Sequence, residues 1–504
     1  MDTLFRNMPV ILVFLTMAAA AWLRGGTRTE FLVPTIPWLL ALLFEVMLFF
    51  PQRHSGESSV SARQRTWRHL GRDPLLYVTV VFLLVMVVPF MNRGLCLVCD
   101  YPAIMAGASP DPRIPFAPFC VDAAGHFNVL LWFVPALTAM LAAKHALSRS
   151  GKRMLVEMIV WNAAVLAVEG FIQQAAGAPS SLWTGKEPAV EEFFASFGYA
   201  NMGGAFFVTA FALSVGVWLT RVAEVAAMPP IDPTRSVSQQ KLHRWIRAHY
   251  PLAAALLNLF AVLSTLCRAA MINLVVLAAF AFIYYECSLV FAHRNRARNV
   301  KRAAFGFAAG IVVAISLFIF GPKDWTRELD SVSSLEVLDR VSGKGAYHAR
   351  VSMAIFKDHP LFGVGGWGYK HFCRSYMTPD ELEQMQTVGG ANVHNDYLQF
   401  LCEHGLVGFG LLVAVFLLLV SPIFHDWFIL YRAARFMRTD ASPPSPRVLY
   451  CLPPGMLWTL LASLSLLFCA SGDCPMRSLA VLSHLFVPLA CAEGYLPKPK
   501  EDGP

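Results

Sequence analysis

The chain has 504 residues, of which 56% are hydrophobic and only 15% are charged, and this composition excludes an ordinary soluble protein. The net charge is +8, but in so apolar a chain an excess of lysine and arginine is a signal of membrane topology. We therefore expect an all-α, polytopic membrane protein in contact with membrane lipids, and no nucleic-acid partner.

About twelve apolar segments are long enough to cross a hydrocarbon core of roughly 30 Å. They lie at residues 8–23, 34–50, 74–91, 127–143, 154–176, 202–220, 250–267, 269–290, 303–321, 405–424, 449–471 and 478–494. We predict a first group of spans over 1–321, a large polar loop over 322–404, a last group of spans over 405–494 and a polar tail over 495–504. We interpret the first span as an uncleaved helix, because its removal as a secretory signal would disturb the charge pattern.

Lysine and arginine cluster in alternate loops. The basic clusters fall at residues 53–72, 144–153, 221–247, 294–302 and 432–447. Because basic loops stay in the cytoplasm, we expect both termini inside and the loop 322–404 outside.

An outer segment holds Cys96, Cys99 and Cys120, and an oxidising exterior would permit a disulfide among them. We favour a structural clasp over a redox pair or a metal site, because Cys-Leu-Val-Cys has no second cysteine pair at zinc spacing. We predict no metal site and no cofactor, since no carboxylate cluster suggests one.

Two polar residues stand out at the outer ends of spans. Asn201 lies beside Gly203 and Gly204, which predicts a close helix approach with an amide hydrogen bond, a substrate contact being the alternative. Arg268 lies in the short turn 264–271, where its guanidinium either snorkels to water or holds an anion.

The outer loop has recognisable local structure and many cations. We predict a helix near 346–357, a glycine-rich turn over 360–368, and a second short helix whose capping box is formed by Thr378 and Glu381. An anionic ligand is expected from the cations Lys323, Arg327, Arg340, Lys344, Arg350, Lys357, Lys370 and Arg374.

The loop ends in the stretch Val393–Phe409, which reads V-H-N-D-Y-L-Q-F-L-C-E-H-G-L-V-G-F. Read as a helix with 3.6 residues per turn, it places His394 and Tyr397 on one face and Asp396, Gln399 and Glu403 on the opposite one. Gly405 and Gly408 then allow a bend or close packing at the next span.

These residue types suit transfer of a group from a lipid diphosphate to an alcohol. Arginines bind a diphosphate and offset its charge, and a histidine can take the proton of an attacking hydroxyl. Arg268 with Arg340 or Arg350 would hold the diphosphate, and His394 would be the base. The alternative is that His394 caps its helix and the arginines meet lipid headgroups.

The stretch His394–Gly408 resembles the signature of the bacterial O-antigen ligase and polymerase superfamily, a histidine and asparagine, then leucines, then Glu-x-Gly-x-x-Gly. The preceding Lys357–Gly365, K-D-H-P-L-F-G-V-G, is similar to a stretch that these proteins carry earlier in the same loop. Fainter similarities lie at 170–173, 197–203 and 263–268, and the order and spacing agree from about residue 150 to residue 490.

The resemblance implies an inverting, metal-independent glycosyltransferase that uses an undecaprenyl-diphosphate-linked glycan as donor. It implies that His394 assists the acceptor hydroxyl and that Arg268 holds the donor diphosphate. The second arginine of the family precedes a tryptophan that is missing here, so Arg340, Lys344 and Arg350 compete for its role. Supporting roles are predicted for Asn395, Glu403 and Asn201.

The expected function is an O-antigen ligase-like transfer at the periplasmic face of the bacterial inner membrane, with lipid A-core as acceptor. A polymerase that uses a glycan acceptor, and transfer to a protein, are alternatives of the same chemistry. A lipid-linked glycan transporter is the rival from another class, but a transporter is expected to line a midplane path with its charges, whereas here they gather on the outer loop.

Overall fold

The computed structural model describes residues 2–54, 56–92, 114, 117–178, 193–230, 232, 236–290, 345–381, 392–436 and 452–496. In these ranges the chain is helical and forms no strand. The helices, in chain order, are α1 Asp2–Trp22, α2 Thr29–Leu48, α3 Ser59–Arg72, α4 Pro74–Val87, α5 Ala123–Ala146, α6 Arg149–Ala175, α7 Ala200–Ala226, α8 Val237–Ser264, α9 Arg268–Val290, α10 Gly345–Asp358, α11 Tyr369–Phe372, α12 Asp396–Phe436, α13 Pro454–Gly472 and α14 Leu479–Cys491.

Within this part of the chain, 7 helices are long and apolar enough to cross a membrane, or 8 if α3 and α4, bent by 65°, form one span. Shorter apolar helices lie at Arg6–Trp22, Arg268–Tyr284 and Leu479–Tyr495. The all-helical, multi-span prediction is confirmed. The count of about twelve is not, and the predicted span 303–321 lies outside the described residues.

The centre of the bundle is formed by α5 and α7, which are buried along most of their length. A helix that is apolar on all sides must be covered by other helices. α7 packs against α8 and α13, and α5 packs against α2 and α14. The N-terminal ends of α7 and α12, the C-terminal end of α13 and the turn before α9 meet at one end of this bundle.

Many of the predicted cytoplasmic cations pair with acids at the other end of the bundle. The distances from the basic nitrogen to the carboxylate oxygen are 2.7 Å for Lys144 and Asp73, 3.0 Å for Lys152 and Glu493, 2.8 Å for Arg153 and Glu224, and 2.6 Å for Arg221 and Glu157. The clusters around 53–72, 144–153 and 221 therefore gather at one end.

The described part of the loop 322–404 folds around a small apolar core, to which the segment before α5 also contributes. This core contains Phe119, Val121, Val351, Ile355, Val364, Tyr369, Phe372, Cys373, Val393 and Cys402. The predicted helix near 346–357 is confirmed as α10. The capping box is confirmed too, since the Thr378 amide donates to Glu381 Oε2 at 2.8 Å and the Glu381 amide to Thr378 Oγ1 at 3.4 Å.

The loop core is fastened to the N-terminal end of α5. Lys370 Nζ and His371 Nε2 lie 2.9 and 3.1 Å from the Asp122 carboxylate. The amide of Gly366 donates to His126 Nδ1 at 2.7 Å. The loop thus rests on the N-terminal end of α5, a helix that is buried along most of its length.

Some predictions fall on parts of the chain that the structure does not describe. Arg340 and Lys344 are among them, as are Cys96 and Cys99. Of the predicted disulfide candidates, Cys120 lies in the described residues, where it is buried and its thiol donates to the Pro89 carbonyl at 3.5 Å. The predicted loop 322–404 is described at 345–381 and 392–404, and the predicted tail 495–504 at 495–496.

The prediction that His394 lies on a helix face with Tyr397 is wrong. α12 begins at Asp396, and Asn395 caps it by accepting the Leu398 amide at 3.0 Å. Because the cap residue needs a non-helical backbone, the preceding His394 is left outside the helix. Asp396, Gln399 and Glu403 do share a face, and it is buried.

The predicted bend at Gly405 is confirmed. Gly405 has φ +62° and ψ −171°, which interrupts the helix. The carbonyls released before the break accept from the amides of Val364 and Gly365, and the amides of Leu406 and Val407 donate to Pro360 and Leu361. The stretches 357–365 and 394–408 are therefore joined by backbone hydrogen bonds.

Candidate active site

His394 occupies an unusual backbone position at the end of the loop. Its φ is +54°, in the left-handed region that few non-glycine residues adopt. Its side chain is 48% exposed, and its Nδ1 lies 3.2 Å from Asp473 Oδ1. A strained backbone that aims a half-exposed histidine at a carboxylate is typical of a functional site.

Asp473 directly follows α13 and collects hydrogen-bond donors around its carboxylate. The Tyr199 hydroxyl donates to Oδ2 at 2.5 Å, Asn201 Nδ2 donates to the same oxygen, and the Cys474 amide donates to Oδ1 at 2.7 Å. Burial alone would raise the pKa of Asp473, but the bonds from His394 and Tyr199 outweigh it and hold that pKa below its usual value. Asp473 is therefore an anion.

The Asp473 anion determines which nitrogen of His394 carries a proton. A carboxylate that accepts from Nδ1 requires a proton there, which leaves the Nε2 lone pair to take a proton from a ligand. Burial, and then the nearby Asp473 charge, raise the pKa of Tyr199, so its hydroxyl remains a donor. The imidazole is thus held in one orientation with an unprotonated Nε2, which is the geometry that a general base requires.

Asn395 holds the start of α12 against the turn after α13. Besides capping the helix, its Nδ2 donates to the Ser471 carbonyl at 2.9 Å. The Asp396 amide donates to the Asp473 carbonyl at 3.2 Å, and the Met476 amide donates to Asp396 Oδ2 at 2.8 Å. These bonds fix the two segments that carry His394 and Asp473.

Glu403 supports the loop and makes no contact with His394 in the described part of the chain. It accepts from Gln399 Nε2 at 2.9 Å and lies 3.4 Å from Arg477 Nη2. The Arg477 guanidinium also bonds Asn392 at 2.6 Å and lies 4.1 Å from the ring centroid of Trp367. Glu403 thus belongs to a buried network behind the site.

Arg268 lies at the N-terminus of α9, after a tight turn in which Leu266 has φ +54°. The turn packs closely on α7, because a Cβ on Gly204 would lie 2.4 Å from the Cβ of Cys267. Burial raises the pKa of the Cys267 thiol, and smaller contributions come from Cys469 and Asp473. The turn that carries Arg268 therefore lies near Asp473, which His394 also contacts. The predicted close approach near Asn201 is confirmed.

Arg350 lies on α10 with its side chain 49% exposed, and it pairs with Glu381 of the capping box. Its Nη2 also donates to the Tyr376 carbonyl at 3.1 Å. Two residues earlier on α10, the His348 ring centroid lies 6.1 Å from that of His394. α10 therefore brings Arg350 near the site, where its guanidinium is paired with Glu381.

Sequence reasoning missed Asp473, Tyr199 and His348. Asp473 was visible as the one acid in the polar turn 471–477 between the last two spans. Nothing local pairs it with His394, since 79 positions separate them and only the packing of α12 against α13 joins them. In the described part of the chain, no group of 3 or more His, Cys, Asp or Glu residues could hold a metal ion.

Comparison with known proteins adds to this geometry. Residues 253–413 match the family model described as O-Antigen ligase, a range that holds Arg268, Arg350, His394, Asn395 and Glu403. An uncharacterized protein of Haemophilus influenzae is 29% identical over 133 residues, which cover 25% of this chain and 32% of that protein. The match thus spans about a third of that relative's length.

The matched family consists in general of enzymes of the glycosyl-transfer type. Its range contains both motif stretches that the backbone hydrogen bonds join, 357–365 and 394–408. Residues 253–413 thus match the O-antigen ligase family, and this match supports the expected resemblance to the O-antigen ligase superfamily.

Proposed function

We propose that the protein is a glycosyltransferase that moves a polyprenyl-diphosphate-linked glycan onto a hydroxyl acceptor at the outer face of the bacterial inner membrane. The observation that carries the proposal is the bond between His394 Nδ1 and Asp473 Oδ1 at 3.2 Å. It gives a half-exposed imidazole the orientation and the anionic support that proton removal from a hydroxyl requires.

In the proposed reaction, the acceptor hydroxyl gives its proton to His394 Nε2 while its oxygen attacks the anomeric carbon of the donor sugar. The bond from that carbon to the diphosphate breaks on the opposite face, so the configuration inverts. Asp473 stabilises the imidazolium that forms, as a buried carboxylate does for other catalytic histidines.

Arg268 is assigned to the donor diphosphate. Its guanidinium can bind two phosphate oxygens at once, and the N-terminus of α9 adds a positive dipole end. A second cation is assigned to the loop, either Arg350 or Arg340. The donor is proposed to be undecaprenyl-diphosphate-linked glycan, and the first acceptor to test is lipid A-core.

The test uses the purified full chain with a synthetic polyprenyl-diphosphate oligosaccharide and lipid A-core. We expect glycosylated lipid A-core with inverted configuration, and loss of at least about 100-fold in rate for His394→Ala. Arg268→Ala is expected to raise the donor KM by roughly tenfold or more. His425→Ala and Arg247→Ala are matched controls, because both side chains are exposed and lie outside the site.

Two of three possible outcomes contradict the proposed roles or the proposed reaction, and the other changes only the acceptor. If His394→Ala and Arg268→Ala form product at the parental rate, the assigned roles are wrong. If the product is a longer lipid-linked glycan instead of modified lipid A-core, the protein is a polymerase. If the donor crosses the bilayer of vesicles and no transfer occurs, the protein is a transporter.

A further inference from the structure

A second imidazole lies beside His394, and the proposed reaction gives it no role. His348, on α10, is buried with 4% of its surface exposed. Its ring centroid lies 6.1 Å from that of His394, with the two planes at 64°. Tyr347 and Tyr369 flank it, with ring centroids 4.1 and 5.9 Å away.

Tyr369 determines the tautomer of His348. The Tyr369 hydroxyl lies 2.6 Å from His348 Nδ1 and makes no other hydrogen bond to the described residues. Burial raises the pKa of Tyr369, so the hydroxyl keeps its proton and donates it to Nδ1. The proton of the neutral imidazole must then be on Nε2.

His348 also stays neutral near pH 7. Burial, and then the neighbouring His394, lower the pKa of His348 to about 4. Glu381 opposes this shift from the other side of α10 but does not reverse it. The ring is therefore a fixed, uncharged donor.

The two rings lie farther apart than a direct hydrogen bond between them would place them. A direct N–H···N bond would bring two imidazole centroids to about 5 Å, less than the 6.1 Å observed. Among the described residues, Nε2 of His348 makes no hydrogen bond. One oxygen atom hydrogen-bonded to both rings fits this separation.

We propose that His348 binds the acceptor by donating its Nε2–H to the oxygen of the hydroxyl that His394 deprotonates. The inference rests on the proposed function and adds an acceptor-positioning residue to it. One lone pair of the oxygen accepts from His348 and another attacks the anomeric carbon. The proton goes to His394, the diphosphate leaves with the electron pair of the broken bond, and His348 neither gains nor loses a proton.

The test compares His348→Phe, which keeps a flat ring without a donor, with His348→Gln, whose amide N–H can replace Nε2–H. We expect His348→Phe to lower kcat/KM for lipid A-core by about tenfold or more and to leave the donor KM within twofold. His348→Gln is expected to recover activity to within about threefold of the parental protein. His359→Phe is the control, because this loop histidine packs on Phe119 and Phe372.

Equilibrium binding without donor separates this inference from the proposed function. Lipid A-core in detergent micelles is titrated into the parental protein and into His348→Phe, and the unlinked glycan is used as a second probe. Weaker binding to His348→Phe supports the inference even if no transfer is found, in which case only the proposed reaction fails.

Three results overturn the inference. One is transfer by His348→Phe with parental kcat and acceptor KM. Another is an equal change in donor and acceptor KM, which indicates a structural role. The third is that neither probe binds the parental protein, which contradicts the proposed function as well.

Discussion

At His394 the protein holds a histidine in a backbone conformation that costs of order 1–3 kcal/mol. The cap at Asn395, the bond to Asp473 and the bonds from Asp396 and Met476 fix that conformation. A strained residue persists only where its surroundings determine it, so the strain and the hydrogen-bond network belong together. Asp473 is the carboxylate of the network that contacts the His394 ring.

Asp473→Asn keeps the shape of the side chain and removes its charge. We expect kcat to fall on the order of 10²–10⁴-fold, because an amide neither fixes the Nδ1–H tautomer nor stabilises the imidazolium. KM values are expected to stay within twofold, as measured by initial rates with donor and acceptor varied in turn. Asp426→Asn is the matched control, because Asp426 lies beside His425 near the other end of α12. A parental kcat in Asp473→Asn would contradict the role.

A pair of variants tests whether Arg350 binds the donor or only pairs with Glu381. The pair is half-exposed, and such pairs contribute about 0–1 kcal/mol, so the guanidinium can exchange its partner for a diphosphate. We expect Arg350→Ala to raise the donor KM by about tenfold, and Glu381→Gln to change it by less than about twofold. If both variants change the donor KM equally, the pair is structural and the second diphosphate ligand lies elsewhere.

Residue types predicted part of this candidate site. A histidine at the end of a cationic loop favours a base, and an arginine in a turn between spans favours an anion site; both roles stay predictions. The contact between His394 and Asp473, and the bond from Tyr199 to Asp473, could not be predicted, because Tyr199 lies 195 positions before His394 and Asp473 lies 79 positions after it. Hydrogen bonds between distant segments leave no local periodicity to read.

At the scale of elements, the decisive feature is the interruption of α12 at Gly405. A helix leaves unpaired carbonyls and amides wherever it breaks. Here Val364 and Gly365 pair with the carbonyls, and Pro360 and Leu361 accept from the amides. The glycines predicted a bend at this place. The helical reading that began at Val393 started too early, because Asn395 caps the helix and α12 begins at Asp396.

Gly405→Ala tests this junction. The position has φ +62°, and a Cβ there would lie 2.3 Å from the Leu361 carbonyl carbon and oxygen. We expect a loss of about 2–4 kcal/mol in unfolding free energy and loss of transfer activity, because the loop could no longer reach the helix. Thermal unfolding in detergent and protease sensitivity of the loop measure the effect.

Gly410→Ala is the control on the same helix, because nothing lies within 4 Å of a Cβ there. It is expected to be neutral or to stabilise by about 0.5–1 kcal/mol. Equal behaviour of the two alanine variants would contradict a special role for Gly405.

At the scale of the whole molecule, charge is divided between the two ends of the bundle. One end pairs its cations with acids, and the other holds His394, Arg268 and the loop core. Hydropathy predicted the helices well because a membrane span is set by length and apolarity alone. How the loop docks could not be predicted, since it depends on single residues such as Asp122.

Asp122→Asn is expected to loosen the loop from α5. Burial would raise the pKa of Asp122, but bonds from His371, Gly125 and Lys370 hold it well below its ordinary value of 3.8. A depressed carboxyl pKa contributes stability above the ordinary value and loses it as the pH falls through the folded value. We therefore expect a loss of about 1–3 kcal/mol at pH 7 that shrinks only below about pH 4.

Thermal unfolding of the parental protein and of Asp122→Asn at pH 3 to 8 measures this difference. Asp380→Asn is the control, because Asp380 is an exposed acid of the same loop. A constant difference between Asp122→Asn and the parental protein down to pH 3 would show that the charge of Asp122 is not what holds the loop.

The place of Asp473 has a consequence for biosynthesis. The ribosome makes His394 first, and the Asp473 carboxylate that contacts it follows only after α12 and α13 have been made. While the chain is still being inserted, His394 therefore has no carboxylate to orient its ring, and the pair that the proposed reaction needs forms only when α13 and the turn after it are in place.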